Sequence, residues 1–358
     1  MADWRSSMQQ TFEYYTVDPN TWRDTRLLSN IKSSSISRDA DTGTLGSATI
    51  GTTETVGECY VRTYLVTVQN GIKEKHALGT HLVQTPSFSF NGKVPDYSVD
   101  AYTPLLELKE GIPPIGYTIP KGSNIMSMAY SIVRERVRAP VIPAICDETI
   151  PYDFVASTED TWLSFIIDLI ANAKYTLALD EMGRILFSPK QDIASLAPVW
   201  TYDDSNSSIL YSDITIDNDL YGIPNVVEII YSNSSDAKTT SLYSRVVNDD
   251  ANSPVSTISR GREIVYRDMN PNISGIPSQE MLDEYAVSLL KALSTLECTI
   301  SYSHGYCPVR LGDCVRFDYG KIGLTDVKAK VISQNISCTP GCRVTEKAVF
   351  TTKLWGDA

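Results

Sequence analysis

The run Glu58 to Val68 reads as the clearest strand of the chain and stops just short of Asn70-Gly71, the pair that most narrows what this chain can become. A two-residue turn of that kind needs positive φ at both positions, and its twist matches two antiparallel strands. Cys59, Val61, Thr63 and Leu65 make one face of the outgoing strand, with Glu58, Arg62 and Tyr64 on the other. Lys75 to Gln84 reads as the return strand, and Asn91-Gly92 marks a second tight turn after Ser87-Phe88-Ser89-Phe90. Short strands with turn signals at regular spacing run from about residue 25 to 109, the pattern of an all-β barrel or sandwich.

Between about 110 and 198 the period changes. Gly111, Pro113, Pro114, Gly116 and Pro120 exclude a helix. Ser123 then stands as an N-cap before a helix over Ile125 to Val137, which Pro140 stops. A second helix is expected after Ser157, with Asp160 completing a capping box and Trp162, Phe165, Ile166, Leu169 and Ile170 forming a wide apolar face. Tyr175 to Leu179 and Arg184 to Phe187 read as a hairpin closed by Asp180 to Gly183. From about Tyr211 β patterning returns. Asp213, Thr215, Asp217 and Asp219 alternate with Ile214, Ile216 and Leu220, and Asn225 to Tyr231 has the near-continuous apolar run of a central strand. A helix from Ser278 to about Leu296 carries Met281, Tyr285, Leu289 and Ala292 on one stripe, and strands follow at Val309 to Phe317, Val327 to Ser333 and Arg343 to Leu354. Gly57-Glu58-Cys59 and Gly312-Asp313-Cys314 open strands alike, as two related β domains would. The expected class is mainly β with an α+β insert: an extension over 1–24, β domains over 25–109 and 199–358, and the insert over 110–198.

Charge sets limits on partners. With 31 basic and 43 acidic residues the chain carries a net charge of -12, which argues against a groove for phosphate backbones. The most apolar helical stretch, Trp162 to Ala171, is too short to span a bilayer and contains Asp168, so no membrane insertion is expected. No charged-then-apolar leader follows Met1, and the seven cysteines are odd in number; both point to reduced thiols in a cytosolic folding compartment. Sequons at Asn206, Asn233, Asn272 and Asn335 then say nothing about glycosylation.

Catalytic patterns are missing. The chain lacks a phosphate-binding Gly-x-x-x-x-Gly-Lys-Ser/Thr loop, a Gly-x-Ser-x-Gly elbow and a His-Glu-x-x-His helix. His76 and His81, five apart on one strand, face opposite ways unless a bulge intervenes, and His304 reads as part of a turn. Cys307, Cys314, Cys338 and Cys342 cluster late, but only the last two have knuckle-like spacing; buried core thiols are favoured over a metal set, a question the spacing leaves open. The acid pairs Asp39/Asp41 and Asp217/Asp219 read as solvated. No catalytic, cofactor-binding or metal-ligating residue is nominated, and no enzyme activity is expected.

Several segments are nonetheless familiar. Val17-Asp18-Pro19-Asn20-Thr21-Trp22-Arg23, Ser35-Ile36-Ser37-Arg38-Asp39 and Leu45-Gly46-Ser47-Ala48 resemble the opening of tailed-phage hub proteins. Trp162-Leu163-Ser164-Phe165-Ile166 through Asp180-Glu181-Met182-Gly183-Arg184 resembles the hub insert, and Val309-Arg310-Leu311-Gly312-Asp313-Cys314-Val315 the opening of the second hub barrel. The chain is thus similar to the baseplate hubs of contractile-tailed phages and phage-like injection machines, related to late control protein D and the hub part of type VI secretion spikes. That resemblance implies a homotrimer with two tail-tube-like barrels per chain and a helix-hairpin insert outside the ring. The ring would adapt a sixfold tail tube to a threefold spike in the virion tail baseplate, assembled in the bacterial cytoplasm. Tube protein, spike protein, other baseplate components and tape measure are the implied partners, with DNA passing unbound. The spike would be a separate chain, since this one ends at Trp355-Gly356-Asp357-Ala358. Asp213, Asp217 and Asp219 would then line the channel or face solvent at the rim. The alternatives are a tail-associated carbohydrate-binding or cell-wall-degrading protein, and a metal-stabilised cytosolic protein.

Overall fold

The Asn70-Gly71 turn forms as its chemistry requires, with φ of 51° and 78°. It joins β5 to β6 in a sheet whose first strands are β1 (Gln9–Val17), β2 (Asp24–Leu27), β3 (Ile31–Asp39), β4 (Gly46–Thr52), β5 (Cys59–Gln69), β6 (Ile72–Phe90) and β7 (Pro95–Tyr102). The structure is a computed structural model that describes residues 2–356 apart from 91, 94, 234–239, 270 and 272–277. The expected Asn91-Gly92 turn thus falls partly outside the described residues. Tyr64 pairs Ala77 and Thr63 pairs Gly79, so Leu78 is a bulge on β6. That bulge returns His76 and His81 to one face, opposite Leu65 and Val61. Four residues on β5 separate those partners, about 13 Å of strand, too far for a shared ligand.

The insert begins with α1 (Leu106–Glu110), β8 (Thr118–Ile119) and α2 (Ile125–Arg136). Asn124, not Ser123, caps α2 by accepting the Ser127 amide. After β9 (Phe154–Val155), Ser157 and Asp160 do bond, Ser157 N–H to the carboxylate at 2.7 Å, but as a turn before the helix. The capping box of α3 (Trp162–Ala171) is Thr161 with Ser164. A hairpin follows, β10 (Tyr175–Leu179) with β11 (Ile185–Pro189). The core of this region draws on both α2 and α3, and it reaches back to Leu105 and Leu108, before the boundary expected at 110.

Beyond the insert come β12 (Trp200–Asp203), β13 (Thr215–Asn218), β14 (Val226–Asn233), β15 (Thr240–Val247), α4 (Thr257–Arg260), β16 (Val265–Asp268) and α5 (Gln279–Leu293). The chain ends with β17 (Thr295–Gly305), β18 (Cys314–Tyr319), β19 (Leu324–Ser337) and β20 (Arg343–Lys353). Two compact units result. One holds Met1–Ile214 with Ser301–Ala348, the other Thr215–Ile300 with Val349–Ala358, and β17 and β20 pass from one to the other. In the second unit β14 is central in the order β15-β14-β16. Leu282, Ala286 and Leu290 of α5 pack with Val227 and Ile229; Tyr285 and Leu289 of the expected stripe flank that core, while Met281 lies exposed.

The fold is mainly β, but no sheet among the described residues closes on itself. One 13-stranded sheet follows the order β13-β17-β20-β19-β3-β4-β7-β6-β5-β1-β2, with β12 and β18 attached to its side. The expectation of two closed barrels is corrected by β19, which pairs antiparallel with β3 from Ser333↔Asp39 to Ser337↔Ser35. Periodicity along a strand shows its two faces and not the identity of its lateral neighbour, so this join has no signature in the sequence.

Arg62, on the face of β5 shared with Tyr64, is closed off from solvent. It is 1% exposed, because the tip of the β10–β11 hairpin and the turn after β1 cover its face of β5. Its guanidinium donates to Asp24 at 2.6 Å, Thr80 Oγ1 at 2.8 Å and the Met182 carbonyl at 3.1 Å. Trp22, held at a φ of 56° by a turn in which Asp18 accepts from Asn20 and Thr21, donates its indole N–H to the same carbonyl at 2.7 Å. Gly183 has a φ of 73°, and a Cβ there would meet Thr80 Cβ at 2.7 Å. Gly183→Ala therefore combines backbone strain with a clash at the docked tip and should cost about 1–3 kcal/mol or more in urea unfolding. Gly261→Ala, at a φ of 62° with open space around it, should show strain alone and a smaller loss.

Candidate functional site

The densest polar chemistry lies in the first unit, where Glu346 of β20 is buried without contact with water. Its strand parity explains the position: Val344, Glu346, Ala348 and Phe350 share one face, all buried. A buried carboxylate needs donors in place of water, and neighbouring strands supply them. Tyr302 on β17 donates to Oε2 at 2.5 Å, and His304, two residues on, lies 3.2 Å from the same oxygen. The Tyr202 hydroxyl on β12 is 3.0 Å from His304 Nε2 and donates to Oε2 at 3.4 Å. Gln334 on β19 donates to Oε1.

Two acceptors surround the His304 ring, Glu346 at Nε2 and the Gly305 carbonyl at Nδ1 (2.6 Å). Only the imidazolium donates at both nitrogens. Burial opposes that charge, but hydrogen bonding to Cys307 and Glu346 and the carboxylate's field outweigh it and raise His304 to about 10. Burial likewise pushes Glu346 up, and His304, Tyr302 and Gln334 together bring it below its ordinary value. Buried Tyr202 and Tyr302 are held neutral, first by desolvation and then by the adjacent carboxylate.

Gln334 carries the network onward. Its amide orientation is set from both ends: Nε2 donates to Glu346 and to the Val309 carbonyl (3.0 Å), while Oε1 accepts Arg38 Nη1 at 2.9 Å. Arg38 is the residue opposite Gln334 across the β3–β19 pair. Its other arm takes the Leu78 carbonyl at 2.6 Å, the group the bulge leaves outside the ladder. Arg38 also lies 3.9 Å from Glu181 on the insert hairpin, which Arg310 pairs at 2.7 Å. One chain of polar contacts thus runs from the insert, through the join between β3 and β19, to the buried ion pair.

Chemically this arrangement holds elements together and offers no access to a substrate. Cys307 Sγ lies 3.8 Å from His304 Nδ1, but that nitrogen's hydrogen is already committed to Gly305, so imidazole does not stand ready to take the thiol proton. Cys338 and Cys342 sit instead in the apolar core with Tyr14 and Ile36, and burial raises the Cys338 thiol to about 12. All seven cysteines are free, and no metal-ligating cluster of three His, Cys, Asp or Glu occurs among the described residues. Asp39 is the last residue of β3 and accepts the Asp41 amide in the turn that follows. Asp213, Asp217 and Asp219 are all exposed, but only Asp217 lies within β13; Asp213 precedes it, and Asp219 accepts the Tyr221 amide just after it. The reading of His304 as a turn is corrected: it belongs to β17, in phase with Cys298, Ile300 and Tyr302. That same phase, like Glu346 among Val344 and Ala348, is the signal by which the pair was findable.

No protein-family model and no curated protein sequence matches the chain. Solved structures do. A tail protein from Neisseria meningitidis MC58 is similar with a TM-score of 0.60 at 12% identity, over 95% of this chain and 96% of that one. The 43 kDa tail protein of prophage MuSo2 from Shewanella oneidensis gives 0.59 at 11%, over 94% and 97%. A chain of the Francisella PdpA–VgrG complex gives 0.56 at 10%, over 99% of this chain and 54% of that one. The chain therefore has the fold of phage-tail-type proteins along nearly its whole length.

Breaking a buried ion pair from one side leaves the other charge unpaired, so Glu346→Gln should destabilise the protein by about 3–5 kcal/mol, with part recovered in Glu346→Gln/His304→Gln. Stability should also peak near pH 6.5. Above that, the unfolded imidazole of residue 304 loses its proton while the folded one keeps it up to about 10, so stability falls as pH rises. Below it, His81, which burial and Arg38 lower to about 3, stays neutral in the fold while the unfolded chain takes up a proton, so stability falls as pH drops. Urea midpoints from pH 5 to 8 test both limbs, and the limb above 6.5 should vanish in His304→Gln.

Proposed function

We propose that the chain is the baseplate hub of a phage-type contractile tail or related injection machine. It assembles as a homotrimeric ring that seats a sixfold tail tube on a threefold central spike. The observation that carries this reading is the likeness to two tail proteins along more than nine-tenths of both partners, without a large insertion on either side. The third likeness is to a chain from a complex named for VgrG, which supports a place beside a spike. Charged groups sealed into strand-to-strand contacts suit a component that bears load. The acidic balance of -12 suits a ring through which a polyanion passes without being held. In this reading exposed Asp213, Asp217 and Asp219 face the passage.

Light scattering of the purified chain, alone and with a candidate spike protein from the same genome, tests the assembly. Three chains per particle, and a stable complex with the spike, are the expected result; a monomer at every concentration, or no spike binding, sinks the reading. Substituting the three aspartates with lysine should leave particles assembled but poor at ejection, the defect easing with added salt. Normal ejection would put these residues on the outside.

A further inference from the structure

The β6–β7 hairpin outgrows the sheet that carries it. β5 accompanies β6 only as far as Cys59↔Val83, whereas β6 and β7 go on pairing to Phe90↔Pro95. From Gln84 to Phe90 the strand therefore has a neighbour on one side alone among the described residues. An extended edge of this kind presents unpaired backbone donors and acceptors, and soluble proteins usually blunt it with charge. Pro86 and the bulge at Gln84 protect the base of this edge, but Ser87-Phe88-Ser89-Phe90 beyond them carries neither charge nor proline. Phe88 and Phe90 share one face of the ribbon and are 61% and 60% exposed. The Phe88 ring lies tilted against that of Tyr97, its partner in register, with centroids 5.2 Å apart, which extends the aromatic face across both strands. β4 backs β7 as far as Thr52↔Tyr97, so beyond Phe88 the hairpin is two-stranded, and a two-stranded tip with an apolar face in water is marginal by itself and calls for a partner.

We propose that this arm is a self-assembly element: its edge and its Phe88/Phe90 face dock on a second copy of the same chain. This rests on the homo-oligomeric reading above and assigns its contact. Two observations select a second copy. Chains of net charge -12 repel one another, so they meet most readily through surface free of acid, and this is an uncharged stretch with an apolar face. The same sheet also ends in another open edge, β2, which pairs only with β1, is exposed throughout and leaves Leu27 51% exposed. The arm and β2 are thus two unlike free edges on one chain, apart from β13 at the far end of the sheet. Pairing the arm of one copy with β2 of the next repeats head to tail, the geometry that builds rings.

The test is the mass of Phe88→Lys/Phe90→Lys beside that of the wild-type chain, with far-UV circular dichroism and thermal melts to establish that both fold alike. The expected result is a wild-type oligomer and a variant reduced to monomer at the same concentration. As a second measurement, benzoylphenylalanine placed at position 88 of the full chain should crosslink on irradiation to a peptide of another copy that contains Asp24 to Leu27. An oligomeric wild type with an equally oligomeric variant overturns this inference and leaves the hub reading standing; a monomeric wild type overturns the hub reading and this contact with it. A crosslink only within the same chain, or wild-type but not variant flotation with phosphatidylglycerol vesicles at unchanged mass, also overturns it.

Discussion

A carboxylate kept from water must be surrounded by donors, and at Glu346 that requirement disciplines four strands at once. Tyr302 and His304 answer it from β17, Tyr202 from β12 and Gln334 from β19. A slip of one residue in any of those strands would turn its donor to the opposite face and strand the charge. The pair is a costly way to gain stability, because both ions forgo hydration. What it supplies is a single allowed register. Through Gln334 the same constraint reaches Arg38, and through Arg38 the bulge at Leu78 and the hairpin tip at Glu181.

The insert is attached in a comparable style. Its helices close their own apolar core, while the hairpin tip offers the sheet chiefly backbone carbonyls. Trp22 and Arg62 both spend a donor on Met182, and Thr80 donates to the Glu181 carbonyl at 3.3 Å. Contacts of this sort depend on the path of the tip more than on its side chains, apart from Gly183, whose conformation and lack of Cβ the approach requires. That is consistent with a fold retained at 10–12% identity, where layout survives extensive side-chain replacement.

Local chemistry made much of the architecture readable. Asn70-Gly71 names its own turn, Ser278 caps α5 where a cap was due, and the 175–189 hairpin follows from its alternation. Small displacements arose where two good candidates stand together, as with Ser123 and Asn124, or where a turn pair and a cap pair follow in succession, as in Ser157/Asp160 and Thr161/Ser164. Larger misses share another cause. His304 was read as part of a turn although it sits in phase with Cys298, Ile300 and Tyr302, and Glu346 was not singled out although Val344 and Ala348 share its face. Burial of a charge depends on partners that lie far off in the chain, and those partners are set by which strands meet. The likeness to phage hubs, carried by short segments, agreed with the fold but did not disclose the continuous sheet.

The join between β3 and β19 also has a consequence for how the polypeptide comes into being. Ser37 must find Asn335, so the long stretch between them must leave the ribosome before β3 gains its second neighbour. During that interval β3 waits as an open edge, at risk of capturing the wrong strand from another nascent chain. Its composition suits the wait. Lys32, Ser33, Ser34, Ser35, Ser37, Arg38 and Asp39 leave Ile31 and Ile36 as its only large apolar side chains, so it offers a misplaced partner little to bury. Its correct mate arrives bringing Gln334 to Arg38, and Glu346 follows twelve residues later to close the seam from the other side.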